Sequence, residues 1–483
     1  MAREPSQLVR DGDLIPTPTP HIVILPSAGM GHLTVSTRLA AALVSHGCLV
    51  TLITPLPMVS EAESNCISNL CSSFPHIRLL ELHLLPFDAP DVDPFLRQFE
   101  SIRRSAALLE PLLVSVTPPV SALLTDVTVF SSVVPVTKAL RIPIYMIFTT
   151  CASMLALVST FPGIRKEAGD GPIESIDIPG VGTIPGSRIP RPLHDPKHLF
   201  TIQFVETGEA MLQADGILSN TFEALDGDIL AALNAGAVVP GFPPVIAVGP
   251  QEPIKLRAAA RPAVERDDWM AWLDAQPPKS VLYVAFGNRT AQSREQIKEL
   301  GIGLEKSGCR FLWVVKSKIV DKDDDDGVEL GELLGEGYLE RVGERGVVVK
   351  SWVIQEEVLA HPSVGGYLSH GGGNSTFEAV LYGVPPLIWP GGGDQQMVAA
   401  QVEKRGVGVW IKEWGLCGVN QVSSDDVAKR VREMMEGDNA VGESVRRMQE
   451  EAVRGLGPGG SSYEGLRKFI AGVVERGSSP PEI

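Results

Sequence analysis

Long hydrophobic runs are missing from this 483-residue sequence, and the absence of any stretch of about 18 apolar residues predicts no membrane-spanning helix. The opening segment MAREPSQLVRDGD lacks the apolar core of a signal peptide, so we expect a cytoplasmic protein. Clusters of basic residues are missing as well, and the net charge is −16. This charge argues against nucleic acid as a partner, because a phosphate backbone requires clustered cations. We expect a monomer that binds small molecules.

Metal-binding and disulfide patterns are also missing. No CxxC pair occurs, and no histidine stands at zinc-ligand spacing from the two closest cysteines, Cys66 and Cys71. We therefore expect reduced, packed thiols and no metal. The acidic run Asp321 to Gly327 lacks the EF-hand pattern and is predicted to be a solvated loop. The six cysteines are Cys48, Cys66, Cys71, Cys151, Cys309 and Cys417.

Buried strands and helices alternate along the chain, which is typical of parallel α/β sheets. The strand HIVILP, the helix after His32 and the strand CLVTLIT form one βαβ unit, and a second alternation begins at Ser280. The stretch at 250–268, which precedes this second alternation, has no apolar periodicity and is predicted to be a linker. We predict two doubly wound parallel-sheet domains that face each other across a cleft. The predicted parts are an N-terminal domain at 1–249, a linker at 250–268, a C-terminal domain at 269–460, and a helix and tail at 461–483 that can pack back on the N-terminal domain.

Two local predictions concern segments outside these strands. The glycine- and proline-rich stretch Gly163 to Pro196 shows no clear period and is predicted to be a long loop over the first domain. The helix that begins at Ser293 is predicted to start with a capping box between Ser293 and Gln296.

The segment from Trp352 to Gln396 predicts a sugar-nucleotide site. Trp352 can stack on a base, and the turn Gly371–Gly373 opens a helix whose N–H groups and dipole favour phosphate. Asp394 and Gln395 can exchange hydrogen bonds with sugar hydroxyls. The spacing matches neither GxGxxG nor GxxxxGK[ST], so neither a standard dinucleotide site nor a P-loop is predicted.

Each of these residues also has a plain structural interpretation. Trp352 could belong to a core, His370 could be a strand-end histidine, and Glu378 could lie on the surface. Asn374 and Ser375 could simply cap the helix, which is compatible with phosphate binding.

His32 is the candidate general base. It follows the glycine turn after the first strand, where a helix start disfavours imidazolium and leaves a ring that can accept a proton. Asp126 ends another predicted strand at the same sheet edge and could hold the other ring nitrogen. The alternative is a histidine that only caps or packs.

The Trp352 to Gln395 box resembles the signature of plant secondary-metabolite UDP-glycosyltransferases, an inverting family with two Rossmann-like domains in the GT-B fold. The family pattern is W-x-x-Q, H, HCGWNS, E, GVP and P-x-x-x-DQ. The matching residues are Trp352, Gln355, His361, His370, Asn374, Ser375, Glu378, Gly383, Val384, Pro385, Pro390, Asp394 and Gln395.

Segments in both domains resemble the plant C-glucosyltransferase group that acts on flavonoid-type polyphenols. They include PSAGMGHL, DPFLRQFE, RSAALL, HDPKHLF and LDAQPPKSVLYVAFGNRT. The resemblance implies transfer of glucose from UDP-glucose to an aromatic carbon, with no cofactor and no metal. O-transfer, a catalytically silent binder of UDP-sugar or polyphenol, and a nicotinamide oxidoreductase are the alternatives.

The resemblance also implies residue roles. His32 is the base assisted by Asp126, Trp352 stacks on uracil, and Glu378 holds the ribose. The remaining implied donor contacts are Gly31, Gly287, Asn288, Thr290, Val353, Gln355, His370, Gly372, Gly373, Asn374, Ser375, Asp394 and Gln395. The candidate acceptor contacts are Phe95, Phe148 and Phe200.

The box departs from the family at HGGGNS, where Gly371 and Gly373 replace Cys and Trp. Backbone amides remain for phosphate binding. We expect the lost bulk to give the turn more freedom and to widen the donor pocket, which leaves donor strictness open.

Overall fold

The structure is a computed structural model and describes residues 19–254, 266–287, 290, 292–316, 328–350, 353–437 and 440–478. These residues form two parallel sheets with flanking helices and one small hairpin. The strands are β1 (His21–Leu25), β2 (Leu49–Leu56), β3 (Arg78–His83), β4 (Ala122–Asp126), β5 (Ile144–Phe148), β6 (Ser175–Ile178), β7 (Gly182–Pro185), β8 (Gly216–Ser219), β9 (Val245–Ala247), β10 (Val281–Ala285), β11 (Arg310–Val314), β12 (Gly346–Val349), β13 (Val364–Ser369), β14 (Pro386–Ile388) and β15 (Val409–Trp410).

The helices lie between and after these strands. They are α1 (Met30–Ser45), α2 (Glu61–Ser73), α3 (Pro94–Arg104), α4 (Leu109–Ser115), α5 (Phe130–Leu140), α6 (Ala152–Ala168), α7 (Leu199–Ala210), α8 (Glu223–Asn234), α9 (Arg266–Asp274), α10 (Arg294–Ser307), α11 (Leu330–Leu334), α12 (Tyr338–Val342), α13 (Gln355–Leu359), α14 (Gly373–Leu381), α15 (Gln395–Lys404), α16 (Ser424–Glu436), α17 (Ala440–Leu456) and α18 (Ser461–Ser478).

The first sheet has the strand order β3-β2-β1-β4-β5-β8-β9, and its described strands are all parallel. Strand β1, in the interior of this sheet, is apolar along most of its length because both faces are covered. Ile22 and Ile24 belong to one apolar cluster, and Val23 and Leu25 belong to another. The order reverses between β1 and β4, which places a switch point at their carboxyl ends.

The second sheet has the order β12-β11-β10-β13-β14-β15 and is also parallel. Alternate residues of β10 again enter two clusters, with Leu282 and Val284 on one face and Val281 and Tyr283 on the other. The order reverses between β10 and β13. Each sheet therefore has one switch point, and the candidate residues follow the strands at both.

One apolar cluster joins the two sheets. Phe377 of α14 and Val398 of α15 share it with Phe161 of α6 and Leu230 of α8. This shared core holds the second sheet's helices against those of the first. The two sheets are therefore connected by packed apolar side chains as well as by the chain itself.

Helix α18 packs against the first sheet. The ring of Phe469 in α18 meets Tyr145 of β5 edge to face at a centroid distance of 4.8 Å. The hydroxyl of Ser462 donates to the carbonyl of Gly249 at 2.6 Å. The helix that follows the second sheet in the chain is thus fixed to the first sheet.

The predicted loop from Gly163 to Pro196 is wrong in part. Helix α6 continues to Ala168, and the strands β6 and β7 then form an antiparallel hairpin. Ile176, Ile178 and Ile184 are buried, and this alternation was hidden among prolines and glycines.

The predicted capping box at α10 is also only half present. Ser293 accepts a hydrogen bond from the Gln296 N–H at 3.1 Å, so it is the N-cap. The Gln296 side chain binds the backbone of Val422 instead, donating to its carbonyl at 3.1 Å and accepting from its N–H at 2.7 Å. A long-range contact has replaced the local one.

Two further predictions concern segments that lie wholly or partly outside the described residues. The run Asp321 to Gly327 lies outside them, as do residues 255–265 of the predicted linker, and α9 begins at Arg266 inside that predicted linker. All six cysteines are described and are free thiols, as expected. Burial raises the pKa of Cys48 and Cys417 to about 11, so these thiols stay protonated.

Candidate active site

The structure brings His32 and Asp126 together at the first switch point. His32 lies in the first turn of α1, which follows β1, and Asp126 is the last residue of the neighbouring strand β4. Nδ1 of His32 is 2.8 Å from Oδ2 of Asp126. With the Nδ1 proton donated to this carboxylate, the proton-accepting lone pair of the ring is on Nε2.

Asp126 is fully buried and held by hydrogen bonds to both oxygens. Besides the contact of Oδ2 with His32, its Oδ1 accepts hydrogen bonds from the Ser27 hydroxyl at 2.9 Å and from the N–H and hydroxyl of Thr128 at 2.9 and 2.7 Å. Burial alone would raise the pKa of Asp126, but His32 and the Thr128 hydrogen bonds hold it below its usual value. The carboxylate therefore stays charged and can stabilise an imidazolium.

An apolar cluster lies beside the His32 ring. The ring of Phe99 meets it edge to face at 5.6 Å. Phe99 follows Phe95 by four residues, so both lie on one face of α3. The cluster consists of Ala28, Phe95, Leu96 and Phe99, with Val59, Val92, Leu199 and Phe200 packed against it.

The three phenylalanines predicted as acceptor contacts occupy different environments. Phe95 is buried in the cluster beside Gly29, and Phe200 is half-buried at its edge. Phe148 is 1% exposed and belongs to the main core, so it offers an acceptor no surface in this conformation. Sequence reasoning missed Phe99, although the i, i+4 pair with Phe95 was a signal for it.

His370 lies at the second switch point, directly after β13, and is enclosed by glycines. A Cβ at Gly287 would lie 2.7 Å from its ring, and a Cβ at Gly372 would lie 2.5 Å from its Nε2. Burial lowers the pKa of His370 to about 4, so the ring is neutral near pH 7. It can donate one hydrogen bond to a phosphate but brings no positive charge.

Helix α14 starts at Gly373, with Gly372 as its N-cap and no side chain closing the end. Asn374 and Ser375 are therefore inside the first turn and are not caps. The first N–H groups of a helix have no acceptor within the helix, and the dipole adds a partial positive charge there. This end of α14 is suited to an anion.

The two unusual glycines of the box are closely packed rather than loose. Gly371 has a φ of +78°, and a Cβ there would lie 2.5 Å from Cγ2 of Ile388. A Cβ at Gly373 would lie 3.2 Å from Oγ1 of Thr150, a residue of the first domain. The expected freedom of the turn is therefore wrong at Gly371, because Ile388 occupies the space that a Cβ would take, whereas the widening of the donor pocket stays a prediction.

A buried polar network surrounds Glu378. Its Oε2 accepts a hydrogen bond from Nε2 of Gln355 at 2.6 Å, and the Gln355 carbonyl accepts one from the hydroxyl of Tyr367 at 2.8 Å. Nε2 of Gln355 also lies 3.2 Å from the Ser375 hydroxyl. Glu378 is thus buried in a network and not on the surface. Its other oxygen contacts Arg38 of the first domain.

The two glycine turns lie on facing sides of the cleft. The side-chain amide of Asn374 donates to the carbonyl of Gly31 at 2.9 Å, and its oxygen accepts from the amide of Asn220 at 3.2 Å. Asn220 and Thr150 both follow strands of the first sheet. Sequence reasoning missed them because nothing local marks a residue that acts across a domain boundary.

Asp394 and Gln395, the pair at the end of the box, have partners in different domains. Asp394 accepts a short hydrogen bond from the Thr150 hydroxyl across the cleft. The Gln395 carbonyl accepts from the N–H groups of Gly391 and Gly392 at 2.6 and 3.0 Å, so its amide group remains available as a donor on the same side chain.

The remaining predicted residues either lie outside the described part of the chain or contact other parts of the second domain. Trp352 and Asn288 are outside the described residues. Val353 is buried in the second domain's core, and Thr290 lies against Gly391, which places it beside the Asp394 loop. His361 contacts Ser363 and Asp274, at 2.8 and 3.1 Å, and so ties the loop before β13 to α9.

Comparison with known proteins identifies the family. The chain is 46% identical over 460 residues to UDP-glycosyltransferase 708G2 of Citrus unshiu, covering 93% of this chain and 96% of that protein. It belongs to the UDP-glycosyltransferase family. The family model described as "UDP-glucoronosyl and UDP-glucosyl transferase" matches residues 257–448 of this glycosyltransferase.

Two further relatives of this UDP-glycosyltransferase are informative. UDP-glycosyltransferase CGT of Oryza sativa subsp. indica is 49% identical over 459 residues, covering 93% of this chain and 95% of that protein. The crystal structure of LpCGTa in complex with UDP superposes with a TM-score of 0.83 at 47% identity, covering 94% of this chain and 99% of that one. The fold is therefore GT-B, as predicted.

Two other kinds of feature are absent from the described part of the chain. None of the described helices combines the length and the apolar character that crossing a bilayer requires. Within the described ranges, no three His, Cys, Asp or Glu side chains are grouped as a metal site would need.

Proposed function

We propose that this UDP-glycosyltransferase is an inverting C-glucosyltransferase that transfers glucose from UDP-glucose to an aromatic carbon of a flavonoid or related polyphenol. One observation carries the proposal: the His32–Asp126 pair and the open end of α14 lie on opposite sides of one cleft, joined by the Asn374–Gly31 hydrogen bond. The similarity to UDP-glycosyltransferase CGT and to LpCGTa favours carbon as the acceptor atom.

The first step is removal of a phenolic proton. Nε2 of His32 takes the proton, and the buried Asp126 carboxylate stabilises the imidazolium through Nδ1. The resulting phenolate shares its negative charge with the ring carbons ortho to the oxygen. Phe200, half-buried at the edge of the apolar cluster that contains Phe95 and Phe99, provides a surface for the aromatic rings of the acceptor.

The second step is glucose transfer. An ortho carbon attacks the anomeric carbon opposite to the UDP group, a C–C bond forms, and the anomeric C–O bond breaks with inversion. The attacked ring is then a dienone, which loses the proton of that carbon to solvent while the oxygen regains a proton from the His32 imidazolium, so that aromaticity and the neutral base are both restored. Asp394 and Gln395 hold the sugar hydroxyls, and Trp352 and Glu378 hold the uracil and the ribose.

The leaving diphosphate is stabilised by the N–H groups at the start of α14 and by a hydrogen bond from the neutral His370. Because the helix start and its amides provide this stabilisation, no metal ion is required. Activity in the presence of excess EDTA would support this, and loss of activity that Mg²⁺ restores would contradict it. We also propose that the enzyme is a cytoplasmic monomer.

Turnover with UDP-glucose and a polyhydroxylated flavonoid or chalcone tests the function. The expected product gains one hexose by mass spectrometry and keeps it after acid hydrolysis, because a C–C bond survives conditions that cleave a glycosidic C–O bond. A product that loses the sugar in acid identifies an O-glucosyltransferase, which the same base would serve if the oxygen is in line. UDP-sugar binding without release of UDP identifies a silent binder.

A further inference from the structure

One buried arginine connects the two domains beside the donor site. Arg38 lies on α1 of the first domain and is only 7% exposed. Its Nη2 is 2.6 Å from Oε1 of Glu378 and 2.5 Å from Oε1 of Glu356. Both carboxylates belong to the second domain, on α14 and α13. A single cation therefore bridges the cleft at the carboxylate that we assign to the ribose.

The charge of Glu378 depends on this contact. Burial favours the neutral acid and raises the pKa of Glu378, while Arg38 acts against that shift. Burial alone would lower the pKa of Arg38, but the two carboxylates raise it, so the guanidinium is charged. A buried carboxylate without its cation is strongly disfavoured. Removing Arg38 would leave Glu378 facing Glu356 without the cation that now lies between them.

The geometry of Glu378 depends on the same contact. Arg38 binds Oε1, and Gln355 binds Oε2 at 2.6 Å. One donor from each domain thus fixes the plane of the carboxylate. Each carboxylate oxygen can accept more than one hydrogen bond, so both oxygens keep capacity for hydroxyl groups.

We propose that Arg38 is a positioning residue for the sugar donor, which pins Glu378 from across the domain boundary so that its oxygens receive the two ribose hydroxyls. This inference rests on the proposed function, in which Glu378 holds the ribose. Arg38 follows His32 by six residues, or about 9 Å along the axis of α1. The same helix thus carries the base that acts on the acceptor and the arginine that positions the carboxylate for the donor.

The test compares UDP with 2′,3′-dideoxy-UDP, which lacks the hydroxyl groups that Glu378 would bind. Calorimetry gives the Kd of each nucleotide for the wild-type enzyme, for Arg38→Met and for a matched control, Arg405→Met. Arg405 also bridges the domains, contacting Asp228 and the carbonyl of Leu225 on α8, but its contacts lie away from Glu378.

We expect the wild type and Arg405→Met to bind UDP at least about tenfold more tightly than the dideoxy analogue. In Arg38→Met the ratio of the Kd of the dideoxy analogue to the Kd of UDP should be close to one. The substitution should weaken the binding of UDP and leave that of the dideoxy analogue nearly unaffected. In turnover, Arg38→Met should raise the KM for UDP-glucose more than it lowers kcat. A general structural role would weaken both nucleotides equally.

The outcomes separate the inference from the function on which it rests. If Arg38→Met keeps the wild-type ratio of the two Kd values, the proposed role of Arg38 is wrong. A ratio near one in the wild type overturns the assignment of the ribose to Glu378 and the inference with it, while turnover of UDP-glucose still tests the transferase activity separately. If thermal unfolding shows that Arg38→Met does not fold, Arg38→Gln replaces it, with the same expected loss of the ratio.

Discussion

The amide of Asn374 donates a hydrogen bond to the carbonyl of Gly31 and so joins the first turn of α14 to the first turn of α1, which carries His32. These turns belong to different sheets, and each follows a strand at its sheet's switch point. The contact fixes the candidate base relative to the start of α14. Transfer in this enzyme therefore depends on a geometry that neither domain has alone.

His32→Ala should abolish glucose transfer, because it removes the group that takes the phenolic proton. A general base contributes about 10²- to 10⁴-fold to a rate, and kcat should fall by that factor. The Kd of UDP should remain nearly unchanged, since the His32 side chain is proposed to act on the acceptor and not to bind the nucleotide. Initial rates on a free phenol acceptor and calorimetry with UDP measure the two effects.

The control for His32→Ala is His83→Ala. His83 is exposed at the end of β3, where it pairs with Glu81 at 3.3 Å, and the substitution should leave kcat unchanged. Substantial transfer by the His32 variant would show that another residue is the base.

Asp126→Asn should lower kcat by about 10²-fold or more while the protein still folds, because the neutral amide cannot stabilise the imidazolium. The amide replaces one carboxylate oxygen by an NH2 group, which then faces either His32 Nδ1 or the N–H and hydroxyl donors of Thr128 and Ser27, all of which now bind the carboxylate. We therefore expect a lower melting temperature as well. Retained kcat with a lowered melting temperature would limit Asp126 to a structural role.

Acid should destabilise the enzyme through His370. Its folded-state pKa is lowered to about 4, while an unfolded histidine has a pKa near 6.5. Between these values the unfolded chain binds more protons than the native one, so the free energy of unfolding falls as the pH drops from about 6.5 to about 4. Below the lower value this contribution stops changing.

The variant His370→Asn tests that pH dependence, because it stays neutral at every pH. Urea midpoints measured from pH 7 to pH 4 should fall less steeply in the variant than in the wild type. Equal slopes in wild type and His370→Asn would contradict the buried, neutral state of the ring.

Gly373→Trp introduces the residue that the family pattern has at this position. The Cβ of the new side chain would lie 3.2 Å from the Thr150 hydroxyl, so Thr150 must give way by a few tenths of an ångström, which weakens its hydrogen bond to Asp394. We expect a higher KM for UDP-glucose and a lower kcat/KM. Thr150→Gly alone should change KM in the same direction, because it removes the same hydrogen bond to Asp394.

Gly331→Ala is the control for this prediction, since Gly331 lies on α11 and a Cβ added there would meet open space. Its kinetics should match the wild type. An unchanged or improved KM in Gly373→Trp alone would show that Thr150 can move aside without consequence for the sugar.

Strand and helix order could be predicted from the sequence because each buried strand carries its own apolar run. HIVIL and VLYVA both face a core on two sides, and glycine turns follow each of them. The hairpin at β6 and β7 was missed because its alternation is short and is interrupted by glycines. The Gln296 side chain was misplaced because its partner, Val422, is far away in the chain.

The contact between His32 and Asp126 was also predictable, since the ends of two strands at one sheet edge mark it. The sequence by itself determined the fold class, the family and the residues available for chemistry, because these depend on local periodicity and spacing. Only the tertiary structure decided which residues meet across the cleft, namely Arg38 with Glu378, Thr150 with Asp394 and Asn220 with Asn374. The physical reason is that such contacts depend on how two sheets pack against each other, and no short stretch of chain encodes that packing.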